Sequence, residues 1–154
     1  MRRRMAVLVG TILATIAVAI PAIGIVAADG TTNVSESVAT LTGSGQVPPI
    51  GSTTKGIAHV TIDVDKRLIC YDYSLTGRMP VAAHIHEGAV DATGPIVVDF
   101  STFGTDIGRR SEGCTRKIAR NVLEAIAQNP AGYYVNIHTA QNPAGEVRGQ
   151  LATR

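Results

Sequence analysis

Residues 56–75 read GIAHVTIDVDKRLICYDYSL, and apolar and polar side chains alternate on both sides of a short polar break. In the first half, Ala58, Val60, Ile62 and Val64 fall on one face, and His59, Thr61 and Asp63 on the other. In the second half Ile69, Tyr71, Tyr73 and Leu75 are in phase, and Asp65-Lys66 is short enough to be a hairpin connection. A period of two rather than 3.6 marks this stretch as an antiparallel strand pair.

The same period runs outward in both directions. SVATLTG (37–43) reads as a first strand, and GQVPPIGSTTKG (45–56) as a loop, since Pro48-Pro49 cannot continue a ladder. VAAHIHEG (81–88), PIVVDF (95–100), YYVNIHTA (133–140) and EVRGQLA (146–152) read as further strands, with AVDATG (89–94) as a turn region. STFGTDIGRRSEGC (101–114) reads as an exposed loop pinned by Cys114. NPAG occurs at 129–132 and again at 142–145. Each copy is turn chemistry, and the second closes a hairpin between the last two strands.

One segment departs from the β pattern. TRKIARNVLEAIAQ (115–128) places Ile118, Ala119, Val122, Leu123 and Ile126 at helical spacing, with Thr115 as cap and Asn129-Pro130 as stop. The spacing predicts a helix over about 116–128 that packs through Ile118, Val122 and Ile126. Seven strands and one helix, without βαβ alternation, predict an all-β antiparallel fold, a Greek-key sandwich or a small barrel, with one short helix.

The N-terminus follows the grammar of export. Arg2–Arg4 precede an uncharged run from Met5 to Ala28, and Val26-Ala27-Ala28 places small residues before Asp29. Residues 1–28 are expected to be a signal peptide; an uncleaved anchor is the alternative, because the run is long enough to span a bilayer. Residues 29–36 are then a flexible lead-in and 37–154 the domain. Without the leader's arginines, eleven basic side chains face twelve acidic ones, a net charge near −1. A nucleic-acid partner has no electrostatic support. The chain's two cysteines, Cys70 and Cys114, form an even pair in an exported protein, which favours a disulfide over two buried thiols.

Two of the chain's four histidines, His84 and His86, are two apart and share a strand face. In YYVNIHT the core takes Val135 and Ile137, leaving Tyr134, Asn136 and His138 on the opposite side, while Arg148 and Glu146 face outward in EVRGQL. If the strands pair, His84, His86 and His138 converge with Asn136 and Arg148 nearby. The first expectation is a buried hydrogen-bond network in which the ring nitrogens bond to backbone groups or to Asn136 and Arg148, with Thr139 as a further partner. The second is a three-His site with an open position, suited to copper or zinc. His59 is expected at a solvated or edge position, and Glu146 with Arg148 as surface chemistry of little energetic weight. No G-x-S-x-G elbow and no phosphate loop occurs, so no catalytic residue is assigned. With no tryptophan in the chain, a sugar-stacking platform has only Tyr133 and Tyr134 to draw on.

AAHIHEGAVDATGPIVV, NPAGYYVNIHT and NPAGEVRGQL, in that order, resemble the CHRD domain named after the repeats of chordin, over about Val38 to Leu151. The likeness extends to the exported bacterial form with its two cysteines. It implies a secreted, immunoglobulin-like β domain with no defined biochemical role. HIHE alone is similar to the copper-binding strand of Cu/Zn superoxide dismutases, but no histidine cluster for a zinc subsite follows. The functional expectation is therefore a secreted, disulfide-linked, non-catalytic module at or outside the cell surface, without a cofactor, binding an unidentified extracellular or cell-surface partner. It touches the membrane only through an uncleaved leader. The alternative is a copper- or zinc-binding protein with ligands His84, His86 and His138 and dismutase-like chemistry.

Overall fold

The structure is a computed structural model that describes residues 33–154. The expected signal peptide and the first residues of the lead-in lie outside the described residues. The strands are β1 (Val34–Thr42), β2 (Lys55–Asp63), β3 (Leu68–Thr76), β4 (Pro80–Glu87), β5 (Ile96–Asp99), β6 (Arg110–Thr115), β7 (Tyr133–Thr139), β8 (Val147–Gln150) and β9 (Ala152–Thr153). A single α-helix among the described residues, α1 (Arg120–Gln128), stands between β6 and β7. β1 opens inside the stretch read as lead-in, because Val34, Ser35 and Glu36 already pair with Asp63, Ile62 and Thr61.

The β2–β3 hairpin forms as its alternation requires. Val60 lies opposite Tyr71 and Ala58 opposite Tyr73. All of Ala58, Val60, Ile62, Val64, Ile69, Tyr71, Tyr73 and Leu75 are buried. The Asp63 carboxylate accepts the Lys66 backbone N–H at 2.9 Å and so ties the turn.

The strands form one antiparallel sheet in the order β5-β4-β7-β8-β1-β2-β3-β6, with β9 on β1. This continuous sheet curls into a half-barrel. Phe100, just past β5 near one end, stacks on Tyr71 of β3 near the other, with ring centroids 3.9 Å apart. Leu41, Ile62, Ile69, Ile85, Val135, Ile137 and Leu151 fill the concave side. Each such side chain contributes about 1.5–3 kcal/mol on burial.

Two expectations are corrected. The segment 101–114 is not all loop: its second half is β6, hydrogen-bonded to β3 from Ile69↔Thr115 to Ser74↔Arg110. RSEGCT hides this because its inward positions are Ser111, Gly113 and Thr115, so no apolar period marks it; an edge strand also offers only one side to the ladder. Cys70 and Cys114 lie directly opposite each other in that pair and are disulfide-bonded. The helix begins at Arg120 rather than about 116, since Thr115 still belongs to β6 and Ala119 is extended. Its buried contacts are Leu123 and Ile126, while Val122 is only half-buried and Ile118 packs on the core from the connecting segment.

Candidate metal centre

β4 and β7 pair antiparallel, with His84 opposite Asn136 and His86 opposite Tyr134. Ala83, Ile85, Val135 and Ile137 point into the core. Alternation then sends His84, His86, Tyr134, Asn136 and His138 to the convex side. An outer sheet face is ordinarily wet. Here all seven residues of β7 are buried, because loops roof the strand. Gln46, from the loop after β1, donates to the Asn136 side-chain oxygen at 2.7 Å. The 88–94 segment and the 140–146 turn close the rest.

Two glycines permit that close cover. A Cβ on Gly94 would run into the Glu87 carbonyl oxygen, and Gly145 has a φ of +146° with Asn136 and Gln46 against it. Any side chain at either position pushes the roof away from the histidines.

Under the roof, His84, His86 and His138 each offer one ring nitrogen, and the three nitrogens lie within 4.8 Å of one another. Their hydrogen bonds decide which nitrogen is offered. His86 Nδ1 lies 3.0 Å from the Gly94 carbonyl oxygen, and His138 Nδ1 3.0 Å from the Pro143 carbonyl oxygen. A carbonyl only accepts, so both Nδ1 atoms carry the proton and both Nε2 atoms present a lone pair. His138 Nε2 meets His84 Nδ1 at 3.0 Å. His86 Nε2 is buried and has no partner.

The third imidazole has an acidic neighbour. Asp99, opposite His84 on β5, places Oδ1 3.8 Å from His84 Nε2. That carboxylate is fixed by the Ser101 backbone N–H at 2.9 Å and the Ser101 hydroxyl at 2.7 Å. Burial pushes all three imidazoles below the usual histidine range. Neighbouring imidazoles add to the effect at His84 and His138, and the Arg148 cation adds to it at His86. Neutral imidazoles are the metal-binding form.

Other residues singled out from sequence stand elsewhere in the layer. Asn136 bonds Gln46 and the Ala144 carbonyl, not a histidine. Arg148 is 2 % exposed and donates to the carbonyls of Ala89, Val90 and Ala92, at 2.7, 3.2 and 2.8 Å. Its guanidinium lies 3.4 Å from the Tyr134 ring centroid, and Tyr134 stacks on His86 at 5.0 Å. Glu146 is fully buried rather than a surface charge, bonded by Ser52, Thr139, Asn142 and Arg78. Burial alone would raise its pKa, but hydrogen bonds from Ser52, Asn142, Thr54 and Thr139 outweigh it and hold the carboxyl at about 2. His59 is half-buried on β2, between β1 and β3, with Nδ1 buried and unpartnered. Tyr133 and Tyr134 are buried and offer no surface platform.

Sequence reasoning did not reach Gly94, Pro143 and Asp99. Backbone carbonyls act independently of side-chain type and leave no signature. Asp99, though, follows from continuing the β4–β5 register one pair beyond Ile85↔Val98.

Curled antiparallel sheet, roofed convex face and three gathered imidazoles define a small β domain with a buried polar layer on its outer side. Residues 37–151 match the family model of the CHRD domain, and the chain belongs to that family. No curated protein and no solved structure matches the chain.

Proposed function

We propose that this chain is an exported, non-catalytic CHRD module whose working part is a metal centre for Cu²⁺ or Zn²⁺ held by His84, His86 and His138. One observation carries the proposal: His86 Nε2 is buried without a partner, beside two other ring nitrogens. A buried polar atom left unpaired costs about 1–3 kcal/mol, and a purely structural network would satisfy it. Pinning Nδ1 to a backbone carbonyl while Nε2 points inward is also how proteins orient imidazole ligands. Ligand nitrogens around a tetrahedral ion at 2.0–2.1 Å stand roughly 3.3 Å apart. The three offered nitrogens lie within 4.8 Å of one another, so closing on an ion needs only side-chain adjustment.

Three neutral ligands leave a coordination position open, and imidazole suits both ions, with copper favoured by the affinity order. Asn136 is committed to Gln46 and Ala144, so water completes the shell. Export is supported by the leader-like N-terminus and the disulfide. Untagged protein, loaded and dialysed, should retain one Cu²⁺ or Zn²⁺ per chain, and its mature form should begin at Asp29. Metal content below a tenth of an equivalent after loading overturns the centre. Steady superoxide turnover by the loaded protein overturns the non-catalytic role.

A further inference from the structure

Arg148 is buried and forms no ion pair among the described residues, although the charge of Asp91 reaches it, an expensive arrangement for a side chain used only as filler. Everything its guanidinium touches leads toward His86. Its donors take the carbonyls of Ala89, Val90 and Ala92, in the roof segment that ends at Gly94. Its guanidinium carbon lies over the Tyr134 ring, and the His86 ring stacks on Tyr134, nearly parallel at 9°. The Tyr134 hydroxyl accepts the Gly94 backbone N–H at 3.3 Å, and the Gly94 carbonyl accepts from His86 Nδ1 at 3.0 Å. Gln150, two residues along on β8, adds a 2.7 Å bond to the Gly88 carbonyl at the start of the roof.

From this we infer that Arg148 is the positioning residue of the metal centre. It has no contact with the ion, yet it holds both surfaces, the Gly94 peptide and the Tyr134 ring, that fix the direction of His86 Nε2. The inference rests on the proposed metal centre and extends it to β8, which supplies no ligand. Lysine cannot substitute fully, because a point cation does not span three carbonyls as a guanidinium fork does.

The test compares wild type, Arg148→Met, Arg148→Lys and His86→Ala in the full exported chain. Cu²⁺ is the probe, affinity is read by competition with a chelator, and coordinated imidazoles are counted by electron spin-echo modulation. Arg148→Met is expected to bind 10–100-fold more weakly, the range for loss of an outer partner of a ligand. Its imidazole count should fall from three to two, as in His86→Ala. Arg148→Lys keeps stem and charge, serves where the methionine variant does not fold, and should also lose affinity at least several-fold. A lysine or methionine variant with wild-type affinity and three imidazoles overturns the positioning role alone. A wild-type chain that takes up no copper overturns the centre and this role with it.

Discussion

β3 and β7 are both written in alternating residues, LICYDYSLT and YYVNIHT, yet they end in opposite surroundings. Along β3 every second residue is buried and Asp72 between them is exposed; along β7 nothing is exposed. Their inner faces do the same work, with Tyr71 and Tyr73 on one strand and Val135 and Ile137 on the other. The difference is the outer layer. Beside β3 the convex face carries the disulfide and charged residues such as Asp72 and Glu112 in water. Beside β7 three loops cover it and turn its polar residues into a second interior. An alternating pattern therefore fixes one buried face and leaves the fate of the other to segments far away in the chain.

If the second interior is as well ordered as the first, its largest penalty falls at Glu146. Glu146→Ala should destabilise by about 3 kcal/mol, because a buried, multiply bonded carboxylate is lost and its donors are stranded. Glu112→Ala on the open face should stay within about 0.5 kcal/mol. Chemical denaturation of both variants checks the contrast. Glu146 is depressed to about 2 from 4.5. Its contribution is then complete above the unfolded value and is lost as pH falls from about 4.5 toward 2. The Ala variant should be flat in that window where wild type declines.

The open side depends instead on its covalent tie. Reducing Cys70–Cys114 should cost about 2–4 kcal/mol, since β6 is an edge strand joined to the sheet through β3 alone. Melting with and without reductant reads the loss, and an unchanged midpoint contradicts it. At α1, Leu123→Ala should cost about 2–4 kcal/mol and Val122→Ala less than half of that. Equal losses would show that the helix packs through the face expected from sequence, not the one observed.

How far the sequence was legible follows the same division. The β2–β3 hairpin, the NPAG turns and the gathering of the three imidazoles all rest on local pattern plus strand phase. β6 was hidden because Ser111, Gly113 and Thr115 are its inward residues, and no hydrophobic period marks them. The layer over β7 was hidden because it depends on carbonyls of Gly94 and Pro143 and on a fully buried Glu146, whose sequence neighbours give no sign of depth. For the imidazoles themselves, backbone partners were expected and are present at His86 and His138, whereas Asn136 and Arg148 are committed to Gln46 and the 89–92 carbonyls.

pH offers a smaller effect of known sign. With the imidazoles of His84, His86 and His138 lowered by burial, the unfolded chain binds more protons near pH 6. Metal-free stability should therefore be complete above about pH 6.5 and fall below it. A variant lacking one imidazole should show a shallower fall.

The metal centre itself is tested most directly by melting wild type and His86→Ala, each in chelator and in excess Cu²⁺ or Zn²⁺. A ligand that binds only the folded chain raises its stability by about 2.7 kcal/mol at a hundred times its dissociation constant. Wild type should rise by that order when metal is added and His86→Ala much less, while in chelator the two should differ by no more than about 1 kcal/mol. A wild type indifferent to metal, with a His86→Ala variant that loses 2 kcal/mol or more in chelator, would make the cluster a structural network and contradict the metal centre.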